Sequence, residues 1–307
     1  GRDEEICQIL QRLREREPGG AGFVCIVGAS GSGKSSLARA GVAATLVQRS
    51  FDDGVADWRA AVITPSGSGE DLAAGLAAAL GEAVPALKEG PGGQERLARC
   101  LEQGNTEAAS ILLESALASE ERQIGGPLRV LLVRDQMDEL LTEGWIAPEQ
   151  RERFLKAIEW LAFDPRAAVL ATLRSDFYSQ AQASDVFLRL KGERGHFDLS
   201  PPSTAALQQL ITLPAQRAGL RFERDLETGR TLDQTILEDA AKDSAALPLL
   251  QYALLELHSR RDLRTGFLTF QSYRDMGGVE GALARRAAEL FDSLPASSHE
   301  ALGQILP

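Results

Sequence analysis

The 307-residue sequence predicts an α/β domain, a parallel sheet flanked by helices, followed by an α-helical region, and three observations carry that prediction. Apolar runs of strand length recur at FVCIV (23 to 27), WRAAVI (58 to 63), LRVLLV (128 to 133) and AAVLATL (167 to 173). Longer segments with apolar residues at helical spacing lie between them, and strands alternating with helices argue for a parallel sheet covered on both faces. After SPP at 200 to 202 the alternation stops and helical periodicity takes over.

In chain order, DEEICQILQRLRER (3 to 16) places Ile6, Ile9, Leu10 and Leu13 on one helical face, and PGG at 18 to 20 ends that helix. FVCIV is apolar at every position, as a central parallel strand buried on both faces requires. A Gly/Ser loop and the helical segment KSSLARAGVAATLV follow, then WRAAVI, closed by TPSGSG. Helices are predicted at 70 to 80, where DLAAGLAAAL is alanine-rich, and from about 94 to 121. LRVLLV runs into a cluster of carboxylates, and a helix near 148 to 162 leads to AAVLATL. Beyond residue 200 the pattern gives helices at 203 to 218, 232 to 242 and 247 to 260, then GFLTFQSYRDMGG as a short strand and turn, then a helix at 279 to 293. The boundaries predicted are an α/β domain over 1–200, a helical domain over 201–262 and a third segment over 263–307.

Composition narrows the function classes. Hydrophobic content of 44% and charged content of 25% are ordinary for a soluble globular protein. No apolar run reaches the 18 or more residues of a membrane helix, and GRDEEICQIL does not resemble a signal peptide. Cys7, Cys25 and Cys100 lack metal-site spacing, which points to reduced thiols and a cytoplasmic setting. The net charge of −11 weighs against nucleic acid as a direct main partner, because phosphate backbones need a basic surface. The abrupt start on Gly1 and the end on LGQILP suggest a fragment of something longer.

The strongest chemical signal is GASGSGKS, Gly28 to Ser35, a full match to G-x-x-x-x-G-K-[ST] placed between an apolar strand and a helix. Backbone N–H groups of Gly28, Ser30, Gly31, Ser32, Gly33, Lys34, Ser35 and Ser36 can turn around a β-phosphate there, with the helix N-terminus adding positive potential. Lys34 is suited to the β- and γ-phosphates and the Ser35 hydroxyl to Mg²⁺. Only five of the 33 basic residues are lysines, so Lys34 is a rare residue type in the place this chemistry needs. A site of this kind needs an acid at the end of a neighbouring strand, and Asp135 fits as a second Mg²⁺ ligand. Its distance of about a hundred residues suggests the type in which an extra strand separates the loop strand from the aspartate strand.

Asp138 and Glu139, in VLLVRDQMDELLT, are candidates to position an attacking water, and they are equally well placed to cap the next helix. Arg174, at the end of AAVLATLR, could face a γ-phosphate or pair with Asp176 or Asp135. His196, His258 and His299 are isolated and read as structural or exposed. The chain has no N-K-x-D or T-K-x-D segment for guanine, which favours ATP or ADP.

Taken together, GRDEEI, GASGSGKSSLARAG, DQMDELLT, TLRSDFY, ALPLLQYALLELHSR and LTFQSYRDMGGVEGALARRAAE resemble the STAND class of phosphate-loop (P-loop) NTPases, in particular the bacterial novel STAND type. The resemblance spans nearly the whole chain. It implies that Gly1, Arg2 and Asp3 help close an adenine pocket, that Pro248 contacts the base, and that residues after about 263 begin a winged-helix domain. It also implies a signalling or defence ATPase joined to effector and sensor domains, with self-association when ATP is bound. Where the family often has Arg-Pro after the second strand, this chain has Thr64-Pro65.

Two other classes compete with a nucleotide-gated switch. A motor ATPase of the AAA+ kind, acting on DNA or protein, usually carries a glutamate directly after the Mg²⁺ aspartate, and Gln136 holds that place. A small-molecule kinase is disfavoured by the lack of a clear lid or acceptor site.

Overall fold

Side-chain alternation along the strands builds the first of two compact units, Arg2–Ser200; the second runs from Pro201. The computed structural model describes residues 2–15, 19–48, 54–64, 71–89, 92–242 and 247–293. Strands β1 (Phe23–Gly28), β2 (Asp57–Ile63), β3 (Leu128–Arg134), β4 (Ala167–Arg174) and β5 (His196–Asp198) form one parallel sheet in the order β2-β3-β4-β1-β5. The strand separating the loop strand β1 from the aspartate strand β3 is β4, which comes last of the three in sequence.

Each central strand divides its residues between two cores. Phe23, Cys25 and Val27, Leu128, Val130 and Leu132, and Val169, Ala171 and Leu173 face one core. Helices Leu72–Ala83, Gly93–Glu102, Thr106–Ile124 and Pro148–Phe163 cover it. The alternate residues Val24, Ile26, Leu131, Val133, Ala168 and Leu170 face the other, closed by helix Asp3–Arg14 and the helix that follows the Gly/Ser loop. This is the period-2 pattern of a sheet buried on both sides.

Three local features depart from the predicted elements. The single helix predicted over 94 to 121 is two helices, Gly93–Glu102 and Thr106–Ile124, broken where Gly104 adopts φ +68° and Asn105 accepts the Ala108 N–H at 3.0 Å as an N-cap. The short strand β5 was not anticipated, since HFD is too short to show alternation. The predicted turn after the strand β7 (Phe267–Leu268) is a helix, Phe270–Asp275, started by Thr269, whose hydroxyl accepts the Ser272 N–H at 3.2 Å.

In the second unit, β7 pairs in parallel with β6 (Arg221–Phe222). Helices Thr204–Arg217, Leu232–Ala240, Leu247–Ser259 and Gly278–Ser293 pack with it. Residues on both sides of 262 share one core, from Leu207 and Ile236 to Tyr273, Met276 and Val279. Gly1, Pro65 and His299, and residues 294–307 of the predicted winged-helix segment, lie outside the described residues. No helix among the described residues is long and apolar enough to cross a membrane.

Candidate nucleotide site

The site grows from the C-terminal ends of β1, β3 and β4. Gly28 ends β1 with every residue of the strand buried, and the loop turns immediately. Gly31 and Gly33 take φ +73° and +90°, conformations in which a Cβ is strained, so the loop needs glycine at both places. A Cβ at Gly28 would lie 2.9 Å from Ser32 Oγ and 3.0 Å from the Leu199 carbonyl. The chain then enters helix Lys34–Ser36 and continues through a π-helical stretch, Leu37–Ala43, into Ala44–Gln48. Ser30 and Ser36 are exposed. Ser32 Oγ is buried and has no hydrogen-bond partner, an orphaned polar atom at the heart of the loop.

Lys34 is 8% exposed, and its ammonium donates to the carbonyls of Gly28 at 3.0 Å and Ala29 at 2.7 Å. Burial pushes its pKa below the ordinary lysine value; Asp138 opposes that shift, Arg174 reinforces it, and Asp135 and Asp176 oppose it. Four of the charged residues singled out in the sequence therefore act on one ammonium.

Strand parity aims Asp135. It shares a face with Leu131 and Val133, towards the helix after the phosphate loop, and is 2% exposed. Its Oδ1 accepts from Ser35 Oγ at 2.8 Å, Thr172 Oγ1 at 2.6 Å and the Gln136 N–H at 3.1 Å. The Gln136 N–H also reaches Thr172 Oγ1 at 2.9 Å, in a backbone with φ +53°, the one non-glycine residue among those described with positive φ. Gln136 has its side chain exposed.

The two distal acids part company. Half-buried Asp138 starts helix Glu139–Thr142 without capping it, and its Oδ1 instead accepts the Arg174 N–H at 3.2 Å. Glu139 is foremost among the carboxylates acting on Arg134, on the opposite face of β3. Arg174 pairs with Asp176 at 2.6 Å and lies over the Phe177 ring, with the centroid 5.2 Å away. Arg2 pairs with Glu5 at 2.6 Å, and its Nη2 donates to the carbonyls of Ser32 at 3.5 Å and Ser200 at 3.0 Å, which brings it to the phosphate loop. Pro248 stands exposed in the first turn of helix Leu247–Ser259, in the second unit.

The model described as Novel STAND NTPase 1 matches residues 1–307. The chain belongs to that family. Among solved structures it is similar to the Aeropyrum pernix ORC1 protein in complex with DNA (18% identity, 96% of this chain and 69% of that one covered, TM-score 0.56). It is also similar to a Walker-type ATPase of Pyrococcus abyssi (15% identity, 100% and 76% covered, TM-score 0.55) and to the Aeropyrum pernix ORC2 protein in ADPNP-ADP complexes (12%, 96% and 71%, 0.55). At these identities the likeness is one of fold, that of the P-loop ATPases. No curated protein matches the chain by sequence.

The residues of this novel STAND NTPase fit a Mg²⁺-nucleotide. The orphaned Ser32 hydroxyl, the buried Lys34 ammonium and the positive-φ glycines make a phosphate cradle. Among the described residues no group of three or more His, Cys, Asp or Glu could hold a metal alone. Two oxygens, from Ser35 and Asp135, with phosphates and water completing the shell, suit Mg²⁺, which keeps several waters and binds through few protein ligands.

Thr172 and Arg134 belong to the site although neither sits in a recognisable motif. Thr172 is the one polar residue inside AAVLATL, and that hydroxyl in an otherwise apolar strand was the available signal. Arg134 is fully buried, donates to the carbonyls of Ile63 at 3.4 Å and Asp135 at 3.0 Å, and lies 5.2 Å from the Phe154 ring centroid. Burial pushes its pKa down to about 9, with Glu139, Asp135 and Asp138 opposing.

Proposed function

We propose that this chain is the nucleotide-binding module of a slow, adenine-nucleotide-gated switch. Lys34 and the loop amides from Gly28 to Ser36 hold the phosphates, and Ser35 and Asp135 take Mg²⁺. Arg2, which reaches the phosphate loop, takes part in binding the base. The observation that carries the reading is the pair Gln136 and Asp138, one and three positions after Asp135. Gln136, whose amide cannot accept a proton, occupies the position of the motor-type glutamate and turns its side chain outward. Asp138 is the half-buried carboxylate that acts most strongly on Lys34, and it takes the water-positioning role; Glu139 acts on Arg134.

A base two positions further along the chain, tied to the backbone of Arg174, favours slow turnover. ADP and ATP then act as ligands that select between states through γ-phosphate and Mg²⁺ contacts. In a whole protein of this family the module serves signalling or defence, joined to effector and sensor domains in the cytoplasm, and self-associates when ATP is bound.

The likeness of fold to a DNA-bound ORC1 favours a second reading, a motor-like ATPase on DNA or protein. A net charge of −11 weighs against the DNA form of it. Nucleotide content after purification, followed by steady-state turnover with and without DNA, separates the two. The switch reading expects bound adenine nucleotide, lost in Lys34→Ala, and turnover below about 1 s⁻¹. Faster or DNA-stimulated turnover establishes the motor.

A further inference from the structure

We propose that Thr172 is a positioning residue for Mg²⁺: its hydroxyl locks the side chain of Asp135, and the affinity of the site for the divalent ion depends on that lock. The proposal rests on the nucleotide-binding reading above. Parity of the strands places Thr172 on the same face as Ala168 and Leu170, the face that Asp135 shares with Leu131 and Val133. β4 lies between the loop strand and the aspartate strand, so a side chain on it can reach the acid on the side that faces the phosphate loop. Thr172 is 1% exposed and donates to Asp135 Oδ1 at 2.6 Å while accepting the Gln136 N–H at 2.9 Å. Donor and acceptor capacity are both used, so the hydroxyl rotor is fixed.

Three donors converge on Asp135: Ser35 Oγ, Thr172 Oγ1 and the Gln136 N–H. Ser35 is itself a ligand of the ion in this reading; it would bind through an oxygen lone pair and keep its proton for Asp135, so its bond and that of Thr172 hold the carboxylate together. The Gln136 N–H is shared with Thr172 and lies further away, at 3.1 Å. Thr172 is not a ligand of the ion in this reading, and its contact to the carboxylate is the shortest of the three, at 2.6 Å. Without it Asp135 has other rotamers open to it, and ordering the carboxylate again weakens ion binding.

The test is a Mg²⁺ titration of nucleotide binding, with a fluorescent ADP as probe, on the wild-type chain, Thr172→Val and Thr172→Ser, together with nucleotide affinity in EDTA. Valine keeps the branched shape a strand prefers and removes only the hydroxyl. The expected result is a rise of about tenfold in the Mg²⁺ needed for half-saturation in Thr172→Val, the lower end for one hydrogen bond to a charged group. Affinity in EDTA should stay within about twofold, since a single phosphate-site hydrogen bond is not involved. Serine should return the Mg²⁺ requirement to within about threefold of wild type, because it restores the same hydrogen bond. Should valine not fold, Thr172→Ala is read by the same criteria. An unchanged Mg²⁺ requirement in a wild type that binds nucleotide overturns the role of Thr172 alone, as does an equal loss in EDTA and in Mg²⁺. A wild type that binds no nucleotide under either condition overturns the nucleotide reading, and this proposal with it.

Discussion

Replacing Asp138 by asparagine removes a charge while keeping a shape. The Oδ1 that accepts the Arg174 N–H at 3.2 Å survives in the amide, so the junction at the tip of β4 should stay in place. Two things are lost. The side chain can no longer take a proton from water, and Lys34 loses the carboxylate that most opposes the lowering of its pKa. General-base catalysis contributes about 10²–10⁴ in rate, so single-turnover ATP hydrolysis should fall by that factor, equivalent to about 3–5 kcal/mol in the barrier. Nucleotide affinity in EDTA should change by less than about tenfold, because the loop amides and the Lys34 side chain are untouched, and a single half-exposed charge contributes about 1 kcal/mol or less. Glu139→Gln, by contrast, should stay within about threefold of wild-type hydrolysis, since Glu139 acts on Arg134 across the strand, and removing a base is what costs a hundredfold or more. The measurement is hydrolysis of pre-bound ATP by excess enzyme in the three proteins. A deeper loss in Glu139→Gln than in Asp138→Asn would refute the assignment, as would an Asp138→Asn variant within threefold of wild type.

Arg134→Ala should destabilise the first unit by roughly 3–5 kcal/mol, since it empties the space against Phe154 and strips the Ile63 and Asp135 carbonyls of a donor; Arg134→Met should recover about half of that, as read by denaturant titration. At Gln136, glycine should be close to neutral in thermal melts. Relief of a left-handed φ offsets the greater backbone freedom of glycine, whereas valine there should cost about 1–2 kcal/mol. Burial, then the hydrogen bond to Asp239 at 2.8 Å, raise the Tyr273 phenol above its ordinary value of 10. Above pH 10 the unfolded chain has lost this proton and the folded chain keeps it, so stability should fall with rising pH, and more steeply in wild type than in Tyr273→Phe.

The repeating strand-and-helix pattern and the phosphate loop could be read directly, because both are local: apolar runs, glycines at fixed offsets, a lysine and a serine in consecutive places. The four long strands and most helices lie within a few residues of the predicted ranges. Weaker or shorter signals did not show. The break at Gly104–Asn105 was hidden inside a long helical periodicity, and β5 and the two-stranded pairing of β6 with β7 are too short to carry a period.

For the site, the sequence by itself determined which residue types were present and that Asp135 followed a buried strand. It left Asp138 and Glu139 equivalent, because two adjacent acids in a turn have no fixed direction until the strand beneath them does. Tertiary structure gives the two different surroundings through strand order and the face each neighbour takes. β4 enters between β1 and β3, Thr172 reaches Asp135 from it, and the Arg174 N–H at its tip takes Asp138. Arg134 turns to the opposite face, against Phe154, where Glu139 acts on it most strongly. The contacts of Asp138 with Arg174 and of Asp135 with Thr172 join residues 36 and 37 positions apart, and only the register of one strand against another brings them together.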